Sequence, residues 1–462
     1  MPEGSRAQPP KRLDRVLKSA LGDVILRPWF DRAALKILIS WYFPLSRAWA
    51  AAVAADGSAE QFFAALPARR RSDRLVPRIL ALVKRRQEAL KSAEDAWFRA
   101  FFGSGPAHVQ VETERISRAA QLMGLRSLFA PLHLEHPFPA VAWAIEDKAS
   151  VERRHGERLR QPARAFLPRG GPESIEPSRG FINGDGVDGW LRFPAPVPAV
   201  GPQAWARVGT PLPQAQPRRG QQATLVFAHG IGMEPEYWGY QREPITGLLQ
   251  SGIRVILPEL PWHGRRRAPG TYGGEPILAL GVGGLLDFLH AAVLEIGLLV
   301  AWARATRGGP VAVGGVSLGA LTAQLVATVA RQWPEEMRPD ALFLVAPSQT
   351  LEAVTFEGSL SCGLGVPAAL QAAGWTLEET TRWRSLLNPH GDPVMTPERV
   401  VVLLGVADDV TLAQGGEALV ADWRVPSANV FRCDAGHFST SLALSRDDAP
   451  LGRLLSLLSA LG

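Results

Sequence analysis

Hydrophobic positions change their spacing part-way along the 462-residue chain. Over residues 13–102 apolar residues recur every three or four positions, which predicts helices. Over residues 131–219 short apolar alternations, such as 140–145 and 189–193, lie between prolines and glycines, which predicts short strands with long connections. We therefore expect a helical N-terminal region over residues 1–130, followed by short strands and a proline-rich connection over residues 131–220. Within it, the prolines of residues 194–220 predict a semi-rigid linker or surface loop.

Beyond residue 221 the pattern alternates between apolar strands and helices, which is typical of a mainly parallel sheet covered on both faces. The predicted strands are 224–228, 255–257, 311–314, 341–345, 400–404 and 430–433. The predicted helices are 285–306, 318–332, 368–373, 378–387, 416–422 and 451–461. We expect residues 221–462 to form an α/β domain, with a helical N-terminal extension and a small lid insertion over residues 348–399.

Composition and charge limit the classes of protein to which this chain can belong. Cys362 and Cys433 alone cannot form a disulfide framework or a four-cysteine zinc site. Of the net charge of +6, residues 1–100 hold 19 Lys and Arg against 10 Asp and Glu. This basic region leaves contact with a membrane surface open, whereas no nucleic-acid motif accompanies it. The apolar run 281–303 is interrupted by Asp287, His290 and Glu295, which predicts a buried helix. We expect a cytoplasmic protein with no signal peptide or transmembrane segment.

The motif with the clearest chemistry is Gly315-Val316-Ser317-Leu318-Gly319, which lies between a predicted strand and a predicted helix. Small residues on either side of the serine allow a tight strand-to-helix turn, and the start of the helix favours nearby negative charge. Ser317 is therefore the predicted nucleophile.

A second motif, His229-Gly230-Ile231-Gly232, follows the first predicted strand of this domain. Backbone N–H groups in such a loop can stabilise an oxyanion, and we predict the N–H groups of Ile231 and Leu318 as its donors. We interpret His229 as a structural residue of this loop, because another histidine fits the role of base better.

Two later loops can complete a proton relay. Asp408 follows the predicted strand 400–404 and is the predicted carboxylate, with its neighbour Asp409 as the alternative. His437 follows the strand 430–433 and is the predicted general base, in preference to His263 and His390.

The order Ser317, Asp408, His437 on alternating strands and helices resembles the α/β-hydrolase superfamily over about residues 221–462. Leu260-Pro261-Trp262-His263-Gly264 is similar to a loop of that family, although Glu259 stands where an aspartate is common and Trp262 where a glycine is common. A serine nucleophile within this resemblance implies acyl transfer.

The predicted function is hydrolysis of a carboxylic ester. Small-molecule esters with a hydrophobic acyl part are among the candidate substrates. The predicted substrate contacts are Trp238, Trp262, Trp375 and Trp383, and neither a cofactor nor a metal is expected. Two alternatives stay open: an acyltransferase with the same three residues, and a non-catalytic binding protein with a hydrolase-like core. For the N-terminal region we hypothesise a cap over a long or bulky acyl chain, with a dimer surface and a membrane-adjacent element as the alternatives.

Overall fold

The computed structural model describes residues 27–66, 75–105, 109–184, 186–212, 222–233 and 244–462. One ten-stranded sheet runs through it, with the order β1-β3-β4-β6-β5-β7-β8-β9-β10 and with β2 paired to β3. Its strands are β1 Glu176–Pro177, β2 Phe181–Asn183, β3 Gly186–Pro194, β4 Gln203–Pro211, β5 Gln222–Ala228, β6 Arg254–Glu259, β7 Gly308–Val316, β8 Ala341–Val345, β9 Val400–Gly405 and β10 Val430–Cys433.

Strands β5 to β10 pair in parallel, whereas β3 and β4 extend the sheet in antiparallel fashion. Strands β8 and β9 are buried along their whole length. Continuous runs of valine and leucine suit strands that are covered by helices on both faces. This agrees with the expected fold class, and all six predicted strands are present.

Helices cover both faces of the sheet and form most of the N-terminal region. They are α1 Pro28–Ile37, α2 Phe43–Ala54, α3 Ala59–Ala65, α4 Leu75–Phe102, α5 Val109–Gly124, α6 Ala130–Glu135, α7 Lys148–Arg160, α8 Glu275–Ala279, α9 Val282–Arg307, α10 Leu318–Val329, α11 Leu351–Phe356, α12 Ser359–Leu364, α13 Val366–Ala372, α14 Leu377–Thr381, α15 Arg384–Leu387, α16 Ala413–Asp422, α17 His437–Ala443 and α18 Ala449–Leu461.

The first two helices form one continuous rod, called the N-terminal rod below. A single π-helical turn, Leu38–Tyr42, joins α1 to α2 without a break. A π turn inserts one residue into the helical repeat, so the face that points inward changes along the rod. Asp31 in the first half of this rod and Tyr42 at the end of the π turn contact loops at the edge of the sheet where the parallel strands end.

Helix α9 is apolar on every side, and a helix of that kind is stable in water only when it is buried. Along with Pro28–Ala54, it is one of two helical stretches in the described ranges that are long and apolar enough to cross a membrane by length and composition. The bent pair Leu351–Leu364 and Val366–Ala372 would add a third if it counted as one span. In this fold 94% of the most apolar window of α9 is buried.

Two expectations about the region before residue 221 need correction, and one helix there was not predicted. Residues 203–211 are a strand of the main sheet and not part of a linker, because they pair with β3 and β6. Residues 140–145 form no strand, and Ala144 N–H donates to Ala279 O beside α8 instead. The polar helix α7 was not predicted, although Asp147 accepts a hydrogen bond from Ser150 N–H at its start. Residues 213–220 of the expected linker lie outside the described residues.

Candidate active site

Four loops converge at the carboxyl edge of the parallel strands. They follow β5, β7, β9 and β10 and carry Ile231, Ser317, Asp408 and His437 respectively. Parallel strands place the residues that follow them at one edge of the sheet, which is where open α/β sheets bind ligands.

Ser317 lies at a sharp turn between β7 and α10. Its φ of 55° is in the left-handed region, which a serine rarely adopts and which stores strain at this position. A Cβ added to Gly315 would lie 2.3 Å from the Gly319 carbonyl carbon, and one added to Gly319 would lie 2.1 Å from Ala228 O. Both flanking glycines are therefore required by close approaches of backbone to backbone.

The side chains of Ser317, His437 and Asp408 form a continuous hydrogen-bonded chain. Ser317 Oγ lies 2.9 Å from His437 Nε2, and His437 Nδ1 lies 2.8 Å from Asp408 Oδ2. A carboxylate can only accept, so Nδ1 carries the proton and Nε2 is left to accept the hydrogen bond from the serine hydroxyl. This is the tautomer that a general base needs.

Asp408 is buried and accepts several hydrogen bonds. Burial by itself would raise its pKa, but the charge of His437 and hydrogen bonds from His437 and Thr411 outweigh that effect and hold the pKa below its ordinary value. Asp408 Oδ1 also accepts from Val410 N–H and Thr411 N–H at 2.9 Å each. Asp409 is exposed and accepts instead from Ser359 Oγ, so it is Asp408 that faces His437.

The loop after β5 lies against the serine. A Cβ added to Gly230 would lie 3.5 Å from Ser317 Cβ, and both Ile231 and Leu318 line the same cavity as Ser317. Leu318 is the first residue of α10, so its N–H has no partner within the helix. Ile231 and Leu318 therefore both lie beside Ser317 at the cavity.

Two histidines other than the one hydrogen-bonded to Ser317 accept hydrogen bonds in and beside this loop. His263 Nε2 accepts from Gly232 N–H, and His229 Nε2 accepts from Leu260 N–H, each at 3.3 Å. Burial lowers the pKa of His229 to about 4, and burial together with the charges of its neighbours lowers the pKa of His263 well below its ordinary value. Both side chains are therefore neutral acceptors at neutral pH, which agrees with the structural role expected for His229. His390, the remaining candidate, lies in an exposed loop and contacts Arg384 O.

An apolar cavity opens at Ser317 and encloses about 770 Å³, counting the part that is open to solvent. Thr355, Ser361 and Thr411 contribute polar groups to its wall. The wall is otherwise mostly aliphatic, and much of it comes from the expected lid segment between β8 and β9. The apolar side chains are Phe43, Ile231, Ile277, Leu278, Leu285, Leu318, Leu321, Leu351, Val354, Leu360, Leu364, Val366, Leu370 and Val410.

Three of the four tryptophans predicted to contact substrate do not line this cavity. Trp375 and Trp383 are each 1% exposed, and Trp375 Nε1 donates to Glu146 O, so both belong to the core between the lid segment and the rest of the fold. Trp262 is buried as well, with a φ of 62°. The prediction is corrected for these three, because large apolar rings gain more from full burial than from a partly open wall. Trp238 lies outside the described residues.

Three residues of the N-terminal rod contact the site and were not predicted. Phe43 lines the cavity, Tyr42 Oη donates to Gly232 O at 2.9 Å, and Asp31 accepts hydrogen bonds from the loop of His437. The only signal in the sequence was the aromatic content of this region, which does not distinguish a wall of the site from ordinary core. Within the described ranges no group of three or more His, Cys, Asp and Glu side chains is arranged to hold a metal ion.

A comparison with protein-family profiles identifies the family that part of this chain resembles. The sequence profile described as "Alpha/beta hydrolase family" matches residues 225–450. This part of the chain resembles the alpha/beta-hydrolase superfamily. The sheet order and the strand-to-helix turn at Ser317 belong to the α/β-hydrolase fold. A search of curated proteins gives no match.

Several solved structures are similar to this chain at low identity. Acetyl xylan esterase 1 from Thermoanaerobacterium sp. has 14% identity and a TM-score of 0.43, covering 69% of this chain and 95% of that one. Acetyl xylan esterase from Paenibacillus sp. has 14% identity and a TM-score of 0.43, with coverages of 64% and 91%. The S-formylglutathione hydrolase from Agrobacterium tumefaciens has 12% identity and a TM-score of 0.38, with coverages of 62% and 99%.

Proposed function

We propose that this protein is a serine hydrolase that cleaves carboxylic esters with an apolar acyl group. The observation that carries the proposal is the hydrogen-bonded chain from Ser317 through His437 to Asp408 at the mouth of an apolar cavity. A solvated serine is a weak nucleophile, and a neutral imidazole within hydrogen-bond distance is what activates it.

The reaction follows from the positions of these groups. Ser317 Oγ attacks the ester carbonyl carbon while His437 Nε2 takes the hydroxyl proton, and Asp408 stabilises the imidazolium that forms. The N–H groups of Ile231 and Leu318 stabilise the tetrahedral oxyanion. His437 then donates the proton to the departing alkoxide, which leaves an acyl group on Ser317. Water, deprotonated by His437, releases the carboxylic acid and restores the serine.

The class of acyl group follows from the cavity wall. Aliphatic side chains surround the space beside Ser317, and no Lys or Arg side chain is among the residues that line it. An apolar chain gains about 0.8 kcal/mol for each methylene that it buries there. Esters of butyrate or octanoate are therefore expected to be better substrates than acetate esters.

The first experiment is labelling with a fluorophosphonate, read by intact mass and peptide mapping. We expect one adduct, on Ser317, in the wild type and in Ser361→Ala, and none in Ser317→Ala. Ser361 is the matched control because it lines the same cavity and no histidine contacts it among the described residues. A folded wild type that takes up no probe contradicts the proposal and favours the non-catalytic binding protein.

The second experiment tests the acyl group with p-nitrophenyl esters from acetate to palmitate. Leu364→Trp fills part of the cavity and is expected to raise KM for octanoate more than for acetate. Leu377→Trp is the control, because Leu377 lies on the same segment but is 48% exposed. Equal effects of both variants contradict the assignment of the cavity to the acyl chain. Transfer of the acyl group to an added alcohol, in preference to water, identifies an acyltransferase instead.

A further inference from the structure

The helix that begins with His437 is capped only in part by its own residues, because Ser439 Oγ accepts a hydrogen bond from Gly436 N–H at 3.0 Å. Residue Gly436 precedes α17 and carries no side chain, yet the first N–H groups of a helix need acceptors. Thr440 N–H donates to Gly436 O, which leaves the N–H groups of Phe438 and Ser439 to be satisfied from elsewhere.

Asp31 of the N-terminal rod supplies these acceptors from 405 to 408 residues away. Its Oδ1 accepts from Phe438 N–H at 2.6 Å and from Ser439 N–H at 3.0 Å. Its Oδ2 accepts from Gly436 N–H at 3.2 Å and from the hydroxyl of Ser439. Asp31 is only 6% exposed, so these groups compete with little water.

Gly436 and Asp31 fit each other closely. A Cβ added to Gly436 would lie 2.5 Å from Asp31 Cγ, so only glycine leaves room for the carboxylate at this distance. The nearby ion pair between Arg27 and Asp434 is exposed on both sides and contributes little by comparison.

We infer that Asp31 is a positioning residue for His437. The N-terminal rod therefore contributes to the active site. The inference rests on the proposed function. His437 is the first residue of α17, so the direction of this capped turn decides where its imidazole points. The same rod also contacts the loop after β5, because Tyr42 Oη donates to Gly232 O.

The test compares Asp31→Ala and Asp31→Asn with the wild type in ester hydrolysis. Displacement of a catalytic group by about 1 Å can cost roughly 100-fold in rate, so we expect kcat of Asp31→Ala to fall about 100-fold. KM should change little, because the cavity wall does not include Asp31. Asp31→Asn keeps one oxygen for the two helix N–H groups and should recover about 10-fold of that loss, as a positioning role requires.

The matched controls are Asp188→Ala and Asp188→Asn. Asp188 is also 6% exposed and hydrogen-bonded, but it pairs with Arg207 on strands β3 and β4. Thermal unfolding shows which variants are folded at the assay temperature. A kcat of folded Asp31→Ala within twofold of the wild type overturns the inference, and so does an equal loss of kcat in folded Asp188→Ala.

Hydrogen exchange separates this inference from the proposed function. Asp31→Ala should speed exchange at the amides of residues 436–439 and leave β8 unchanged, whether or not the protein hydrolyses an ester. Unchanged exchange at 436–439 overturns the capping role. A wild type that neither hydrolyses esters nor takes up a fluorophosphonate overturns the proposed function and, with it, the catalytic part of this inference.

Discussion

The parallel sheet and the N-terminal rod contribute to the same site in different ways. In the sheet, Ser317, Asp408 and His437 each follow a strand within four residues. In the N-terminal rod, Asp31 contacts backbone N–H groups near His437, and Tyr42 contacts a backbone carbonyl in the loop after β5. The sheet thus provides the reacting groups, whereas the rod provides hydrogen bonds that hold their loops. Groups that react and groups that position them can therefore come from parts of a chain with unrelated sequence patterns.

The largest expected effect concerns the sheet. Asp408→Asn should lower kcat about 10⁴-fold, because an amide does not hold the imidazole in the required tautomer. Steady-state hydrolysis of a p-nitrophenyl ester measures it. Asp409→Asn is the control and should stay within twofold of the wild type, since Asp409 faces solvent and Ser359. A comparable loss in Asp409→Asn would mean that the relay uses the neighbouring carboxylate.

A second test concerns the close approach of backbone at the turn of Ser317. Gly319→Ala should destabilise the fold by about 3 kcal/mol, because its Cβ would overlap Ala228 O. Gly452→Ala has open space around it within α18 and should stabilise by about 0.5–1 kcal/mol. Urea unfolding gives both values. A Gly319→Ala protein as stable as the wild type would show that β5 and α10 can move apart.

The smallest expected effect concerns the rod. Tyr42→Phe removes the hydrogen bond to Gly232 O and should cost about 1 kcal/mol of stability. We also expect kcat to fall about fivefold. Without this hydrogen bond the loop after β5 can shift, and a loss of slightly less than 1 kcal/mol in transition-state stabilisation lowers kcat by that factor. Stability comes from urea unfolding and kcat from ester hydrolysis.

The control for that variant is Tyr272→Phe. Tyr272 Oη also donates to a backbone carbonyl at 2.9 Å, but that carbonyl belongs to Ala140 and not to the oxyanion loop. The two variants should therefore lose similar stability, and only Tyr42→Phe should lose kcat. If both leave kcat unchanged, the rod's contact at Tyr42 is structural alone.

Prediction from the sequence succeeded where the signal is local. The apolar strand before Ser317 and the glycines around it lie within ten residues, and they specify a strand, a tight turn and a helix together. Prediction failed for Trp375 and Trp383. The sequence around a tryptophan in the expected lid segment is the same whether its side chain faces the cavity or the core. Prediction failed for residues 203–211 as well, since prolines nearby indicate a connection while strand pairing depends on distant partners.

The sequence by itself determined the order of strands and helices after residue 221 and the residue types after each strand. These depend on short-range periodicity and on the backbone freedom of glycine. Only the tertiary structure decided that Asp31 caps the helix of His437 and that Asp408, not Asp409, faces the imidazole. The first contact joins residues about 400 positions apart, and the second depends on which of two adjacent side chains the turn after β9 points inward. Both are outcomes of packing, which no local pattern encodes.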